Sequence, residues 1–248
     1  MFLFCVTTLL GACQCHSLDV VSLAETGMGF NMAFRKTYIN PTGFSAKLNV
    51  DILNPDGSRR HYPSSICQKG PLLRSDYHFA EWEILEANLR KGFKTLGCDE
   101  VATIFNLETN RITCLFPRLT AFIEMPAPDD FLDTVKQLTR QRVPRLFQAH
   151  EVLNGHRCEK FRISKLSDPE LAFAWQRPDL DYFPVKIQIT RKSDVTTIEV
   201  VDFRLLQPDP KQFEVPPGYV KYADADAVMK EGIRRARERG DIFQPNGK

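Results

Sequence analysis

The feature that most restricts the fold is a two-residue alternation. Ala46, Leu48, Val50 and Ile52 alternate with Lys47, Asn49 and Asp51. That pattern sends one row of side chains to a core and the other to water, as in a half-buried strand. Asn54-Pro55-Asp56-Gly57 follows, with Pro and Gly where a tight turn wants them. Comparable strand segments are expected at Arg59–Tyr62, Leu72–Arg74, Val101–Leu107, Arg111–Phe116 and Thr120–Met125. Others are expected at Phe147–Leu153, Glu159–Leu166, Leu171–Trp175, Val185–Thr190 and Thr197–Leu206, and Phe213-Glu214-Val215-Pro216 reads as a short edge strand closed by proline. Connections such as Glu108-Thr109-Asn110 and Pro117-Arg118-Leu119 have hairpin length, and regular βαβ alternation is missing. The expected class is therefore α+β with one long antiparallel sheet, and a sheet of so many strands curls.

Three helices are expected. Phe79, Trp82, Leu85, Leu89 and Phe93 share one stripe, with Asp76 as cap, acidic residues early, basic residues late and Gly97 at the stop. Pro128-Asp129-Asp130 starts a second, carrying Phe131, Val135 and Leu138 and stopped before Pro144. The third runs from Asp224 to Arg239 and ends at Gly240. In a curled sheet the place for inserted helices is the concave face.

The chain has 248 residues, 43% apolar and 26% charged, a balance that excludes both a multi-span membrane protein and a disordered chain. Lys+Arg (33) nearly equals Asp+Glu (31), so there is no basic field to hold nucleic acid. Met1 to Cys13 lacks any charge and is shorter than the ~20 residues of a spanning helix. It suits the apolar part of an export signal. The usual basic start is missing and the first Lys or Arg is Arg35, which allows a start upstream of Met1. Leu10-Gly11-Ala12-Cys13 resembles the lipobox of bacterial lipoproteins, which implies lipid attachment at Cys13 and a periplasmic or outer-membrane location; a plain cleaved signal and an apolar N-terminal strand are the alternatives.

Cys67, Cys98, Cys114 and Cys158 could form disulfides in an oxidising compartment, with three connectivities open, or remain buried thiols. No CxxC pair or second ligand pair accompanies His156-Arg157-Cys158, so no metal and no cofactor is expected. Gly-x-Ser-x-Gly, His-Glu-x-x-His, P-loop and dinucleotide fingerprints are all missing. An acid/base pair such as His150 with Glu151, or His61 with a distant carboxylate, is the only catalytic arrangement to consider. The expectation is a protein that is not an enzyme. The basic residues of the last helix, Lys230, Arg234, Arg235, Arg237 and Arg239, read as a solvated helix end diluted by Glu231, Glu238 and Asp241 more readily than as a lipid-headgroup patch.

Several runs carry a family resemblance. They include Phe44-Ser45-Ala46, Ala102-Thr103-Ile104-Phe105-Asn106-Leu107, Phe116-Pro117 and Leu153-Asn154-Gly155-His156. The most specific are Phe183-Pro184-Val185-Lys186 and Phe213-Glu214-Val215-Pro216-Pro217-Gly218-Tyr219. Over roughly residues 44–222 their order resembles uncharacterised bacterial exported proteins related to the LolA/LolB-like lipoprotein carriers. The resemblance implies a half-barrel of about eleven antiparallel strands with helices over an apolar concave face. It also implies a lipid or lipoprotein acyl chain as ligand. Residues 1–13 would be the signal, 14–43 a lead-in, 44–222 the half-barrel and 223–248 the terminal helix and tail.

The expected function is non-catalytic binding of an apolar ligand, with a structural envelope lipoprotein that binds a protein partner as the competing reading and a hydrolase as a remote one. The expected cavity residues are Leu48, Val50, Ile52, Trp82, Leu85, Leu89, Phe105, Phe116, Phe122, Phe131, Val135, Trp175, Ile187 and Phe203. Trp175 is weighed more heavily as packing than as a ligand contact.

Overall fold

The computed structural model describes residues 43–83, 85–127, 145–163, 171–191 and 194–242. Twelve strands form one sheet: β1 (Gly43–Leu53), β2 (Arg59–Lys69), β3 (Leu72–His78), β4 (Glu100–Asn106), β5 (Arg111–Phe116), β6 (Ala121–Pro126), β7 (Arg145–Leu153), β8 (His156–Ile163), β9 (Leu171–Arg177), β10 (Phe183–Arg191), β11 (Asp194–Arg204) and β12 (Val220–Lys221). Among the described residues the helices are α1 (Ala87–Leu96) and α2 (Ala225–Glu238). The strand order is β12-β6-β5-β4-β3-β2-β1-β11-β10-β9-β8-β7, and β7 and β12 are its two edges, so the curled sheet does not close. Every pairing is antiparallel except the two-residue β12–β6 contact. Irregularities at Lys47/Leu48, Pro184/Lys186 and Phe147/Ala149 sharpen the bending, as inserted residues do.

Alternation decides the faces. Val50 opposes Tyr62 on one side and Ile198 on the other, and Ile198 opposes Ile187, which opposes Ala174. This inner row belongs to the main core, together with Phe93 and Leu96 from α1 and Val228, Met229 and Ala236 from α2. Burying the apolar inner face supplies the main stabilisation, at about 25 cal/mol per Å² of apolar area removed from water.

Two segments differ from the sequence expectation. The first helix starts at Ala87, not beside Asp76. Asp76 lies in β3, paired with Ala102, and its carboxylate is occupied by Arg74 at 2.6 Å. The chain then makes a 3-10 turn, Phe79–Glu81, before Trp82 and Leu85 enter the core from irregular backbone. Their spacing reflects a demand for burial that a helix is only one way to meet. Gly97 ends α1 with φ +72°, as its sequence position suggests. The second difference is Phe213-Glu214-Val215-Pro216, which forms no strand. A 3-10 turn, Pro210–Phe213, is capped by Asp209 accepting from Lys211 N at 3.0 Å, and the edge strand comes later, at Val220–Lys221. Pro208, Pro210, Pro216 and Pro217 lack the N–H groups that a ladder needs. The expected helix with Phe131, Val135 and Leu138 lies outside the described residues, as does Cys13. Cys67, Cys98, Cys114 and Cys158 are free thiols: they sit on separate elements and no two form a disulfide.

Asp224 caps α2 by accepting from Ala227 N at 2.8 Å. The helix crosses α1 at Gly232, where an added Cβ would stand 2.6 Å from Leu96 O. Gly232→Ala is therefore expected to destabilise the fold by about 1–3 kcal/mol through overpacking, despite alanine's better helix propensity. A chemical-denaturation midpoint that stays level or rises would show that the helices can separate without cost.

Candidate functional site

The concave face gathers most of the residues expected there. Leu48, Val50, Trp82, Leu85, Phe116 and Ile187 are buried in the main core, with Ile52, Leu89 and Phe203 partly buried against it. Phe203 stacks on Phe183 at 3.8 Å between ring centroids, and Phe44 meets Phe183 edge-on at 5.4 Å. Trp82 docks between Tyr62 (5.1 Å), Tyr77 (5.7 Å) and Phe79 (4.8 Å), and its Nε1 donates to Pro63 O at 3.2 Å. Phe105 belongs to a neighbouring cluster with Leu73, Ile112 and Ala127.

Both helices gather towards the β6 side: α1 packs on α2 and on the Phe79–Glu81 turn, and α2 reaches β6. At the other end of the sheet the inner face is formed by Phe147 of β7, Phe161 of β8 and Ala174 of β9, consecutive in register. Phe147 is 47% exposed and meets Phe161 edge-on at 5.9 Å. Ile163 and the small Ala172 continue the same face. None of Phe147, Phe161, Ala172 or Ile163 was anticipated from sequence, because the irregularity at Gln148 shifts the phase of β7 and hides its alternation.

Phe122 and Trp175 turn the other way. Phe122 joins Cys67, Ala102, Ile104, Leu115 and Phe213 in a small cluster on the convex side, with Lys221 Nζ 5.9 Å from its ring. Trp175 opposes Lys186 and Lys160, on the face opposite Ala174. Its ring lies between Lys160 Nζ (4.8 Å) and Lys186 Nζ (5.5 Å), and its Nε1 donates to Glu151 Oε2 at 2.7 Å. Glu151 also accepts from Lys160 at 3.0 Å, and Lys186 pairs with Glu199 at 2.8 Å, so one row of five strands is tied by charge and aromatic contact. A trough of about 260 Å³ on this convex side is lined mainly by polar groups, including Lys47, Asp76, Asp202 and Arg204, and offers little to a hydrocarbon.

The chemistry available is poor in catalytic groups. Burial pushes the Cys67, Cys98 and Cys114 thiols up to about 12, well away from thiolate reactivity. His150 and Glu151 alternate onto opposite faces, and Glu151 is committed to Trp175 and Lys160. His61 does meet a carboxylate, Asp51 at 3.2 Å, which it shares with Arg59 in a surface ion-pair cluster. No group of His, Cys, Asp or Glu able to hold a metal occurs among the described residues. On α2, Arg234 pairs with Glu231 and Glu238, Arg235 with Glu231, and Arg239 with Asp241 and Thr95 O, so much of its positive charge is internally compensated. No described helix is long and apolar enough to cross a membrane.

Among solved structures the chain is similar to an uncharacterized conserved protein from Thermus thermophilus, at 9% identity over 79% of this chain and 99% of that one, with a TM-score of 0.47. It is similar to a LolA superfamily protein from Nitrosomonas europaea at 10% identity, covering 76% of this chain and 97% of that one, TM-score 0.35. A chain of the Pseudomonas aeruginosa MucA/MucB complex matches at 10% identity over 77% of this chain and 61% of that one, TM-score 0.38. No protein-family model matches the sequence, and no curated protein does.

The hydrogen bond from Trp175 and the Lys160 contact hold the Glu151 carboxyl below its ordinary 4.5. A carboxyl lowered in the folded state contributes stability that is full above the unfolded value and disappears as pH falls through the folded one. Glu151→Gln is expected to flatten the loss of stability on acidification below 4.5, read as denaturation midpoints at a series of pH values. An unchanged acid limb would mean that the row contributes nothing through this charge.

Proposed function

We propose that this protein is a non-catalytic, exported binding module whose ligand is an apolar chain, the acyl group of a lipid or lipoprotein, taken on the concave face. The observation that carries the reading is the half-exposed Phe147 ring against Phe161, which continues the buried inner face outwards to the β7 edge. Ile163 and Ala172 continue the same face beside Phe161 and Ala174. Each methylene removed from water contributes ~0.8 kcal/mol, so a dodecyl chain gains about 9 kcal/mol before ordering costs. That suffices without any charged contact. In this reading Cys13 is the lipid attachment point, and multiple acyl chains there would hold the protein at a membrane surface.

The test is displacement of a fluorescent fatty-acid probe by lipid. Phe147→Asp is expected to weaken probe binding at least about tenfold while leaving the melting temperature near that of the parent, because the ring is half in water. A folded protein that binds no lipid and no acyl peptide would end the proposal. Mass spectrometry of the mature N-terminus checks the anchor: an unmodified start after the signal overturns it.

A second reading has one feature in its favour. The β7 edge displays Leu146 (61% exposed) and Val152 (71%), an apolar margin suited to a protein partner. A protein of this kind would leave the lipid probe unbound and would lose partner capture when Leu146 and Val152 are replaced by Ser.

A further inference from the structure

The polar trough on the convex side is built from two neighbouring rows of the sheet. Asp76, Ser65, Lys47 and Asp202 follow one another in register across β3, β2, β1 and β11. Arg74, Cys67, Ser45 and Arg204 form the row beside them. Gln212, from the turn after β11, lines the same space of about 260 Å³. The β1–β11 pairing skips Val201 just after Lys47, and such bulges recur beside binding sites. The charges are unequally committed. Asp76 holds Arg74 at 2.6 Å, and that guanidinium also donates to Gln212 O. Asp202 meets Arg204 at 3.5 Å, longer than a charge-assisted hydrogen bond. Among the described residues, Lys47 makes no ion pair or side-chain hydrogen bond, and the Ser45 and Ser65 hydroxyls make none either. Gln212 Oε1 accepts from Cys67 Sγ at 3.7 Å, which leaves the amide NH₂ as a further donor. Two arginines thus answer two aspartates, and the Lys47 ammonium is the charge left over, among hydroxyl and amide donors. A monoanion balances it, whereas a dianion adds repulsion from Asp76 and Asp202.

We propose that this trough is a binding site for a small organic carboxylate, its carboxyl group held by Lys47 with the Ser45 and Ser65 hydroxyls and its polar remainder beside Asp202 and Gln212. The site lies on the face opposite the proposed acyl-chain surface and does not depend on it.

The experiment is an NMR titration of the full chain at neutral pH with N-acetylglycine, its neutral amide N-acetylglycinamide, and inorganic phosphate. The carboxylate is expected to shift the backbone amide resonances of Ser45, Lys47, Ser65 and Cys67 saturably, and to bind more tightly than either of the others. Lys47→Gln should weaken that binding at least about tenfold, the loss of one charge-assisted hydrogen bond. The Lys47 side chain is exposed, so the variant keeps its fold, checked by an unchanged melting temperature. Lys91→Gln, an exposed position on α1, should leave the affinity at the parent value. No saturable shift at these four resonances overturns the site. So does an equal response to the neutral amide, or an equal loss in the two lysine variants, which would be a general charge effect. Phosphate binding as tightly as the carboxylate overturns the assignment to a monoanion.

Discussion

The structure depends on burying one face of a twelve-strand curled sheet. An antiparallel ladder with strict alternation produces one continuous apolar surface, and no strand can withdraw its inner residues without exposing them to water. Among the described residues, two helices of 10 and 14 residues lie against that surface. The chain answers locally, by folding Trp82 and Leu85 inwards on an irregular segment and by crossing α2 over α1 so closely that only glycine fits at position 232. Among the described residues, both helices sit towards β6.

The convex side solves its exposure differently. Over β2, β4 and β5 the segment after β11 lies across the strands and inserts Phe213 against Cys67, Ala102, Ile104 and Leu115. Arg74 fastens that segment by donating to Gln212 O while its guanidinium holds Asp76. Over β7 to β11 the indole of Trp175 is shielded by lysine stems whose ammonium groups reach carboxylates. The convex side is therefore finished with an apolar insert over β2, β4 and β5 and with charge over β7 to β11. The proposed acyl-chain binding is placed on the inner side.

Most of the strands were legible because alternation and turn residues coincide. Arg111–Phe116 agrees end to end, and the start of the last helix at Asp224 and the Gly97 stop stand where the sequence places them. Two things were not legible, each for a physical reason. Helical spacing at Phe79, Trp82 and Leu85 records which side chains seek the core, not the backbone that takes them there. The facing of Phe122 and Trp175 depends on register, which one strand's sequence does not contain.

The position of β12 has a consequence for how the molecule assembles. β11 sits mid-sheet beside β1, yet the chain leaving it next joins the ladder at β6, on the far side of β1 to β5. The N-terminal meander can zip through neighbouring hairpins, but β12 and α2 find their sites only once that meander exists. Late docking of long-range contacts slows the final stage. The C-terminal segment then fastens last, through β12 on β6 and α2 on α1.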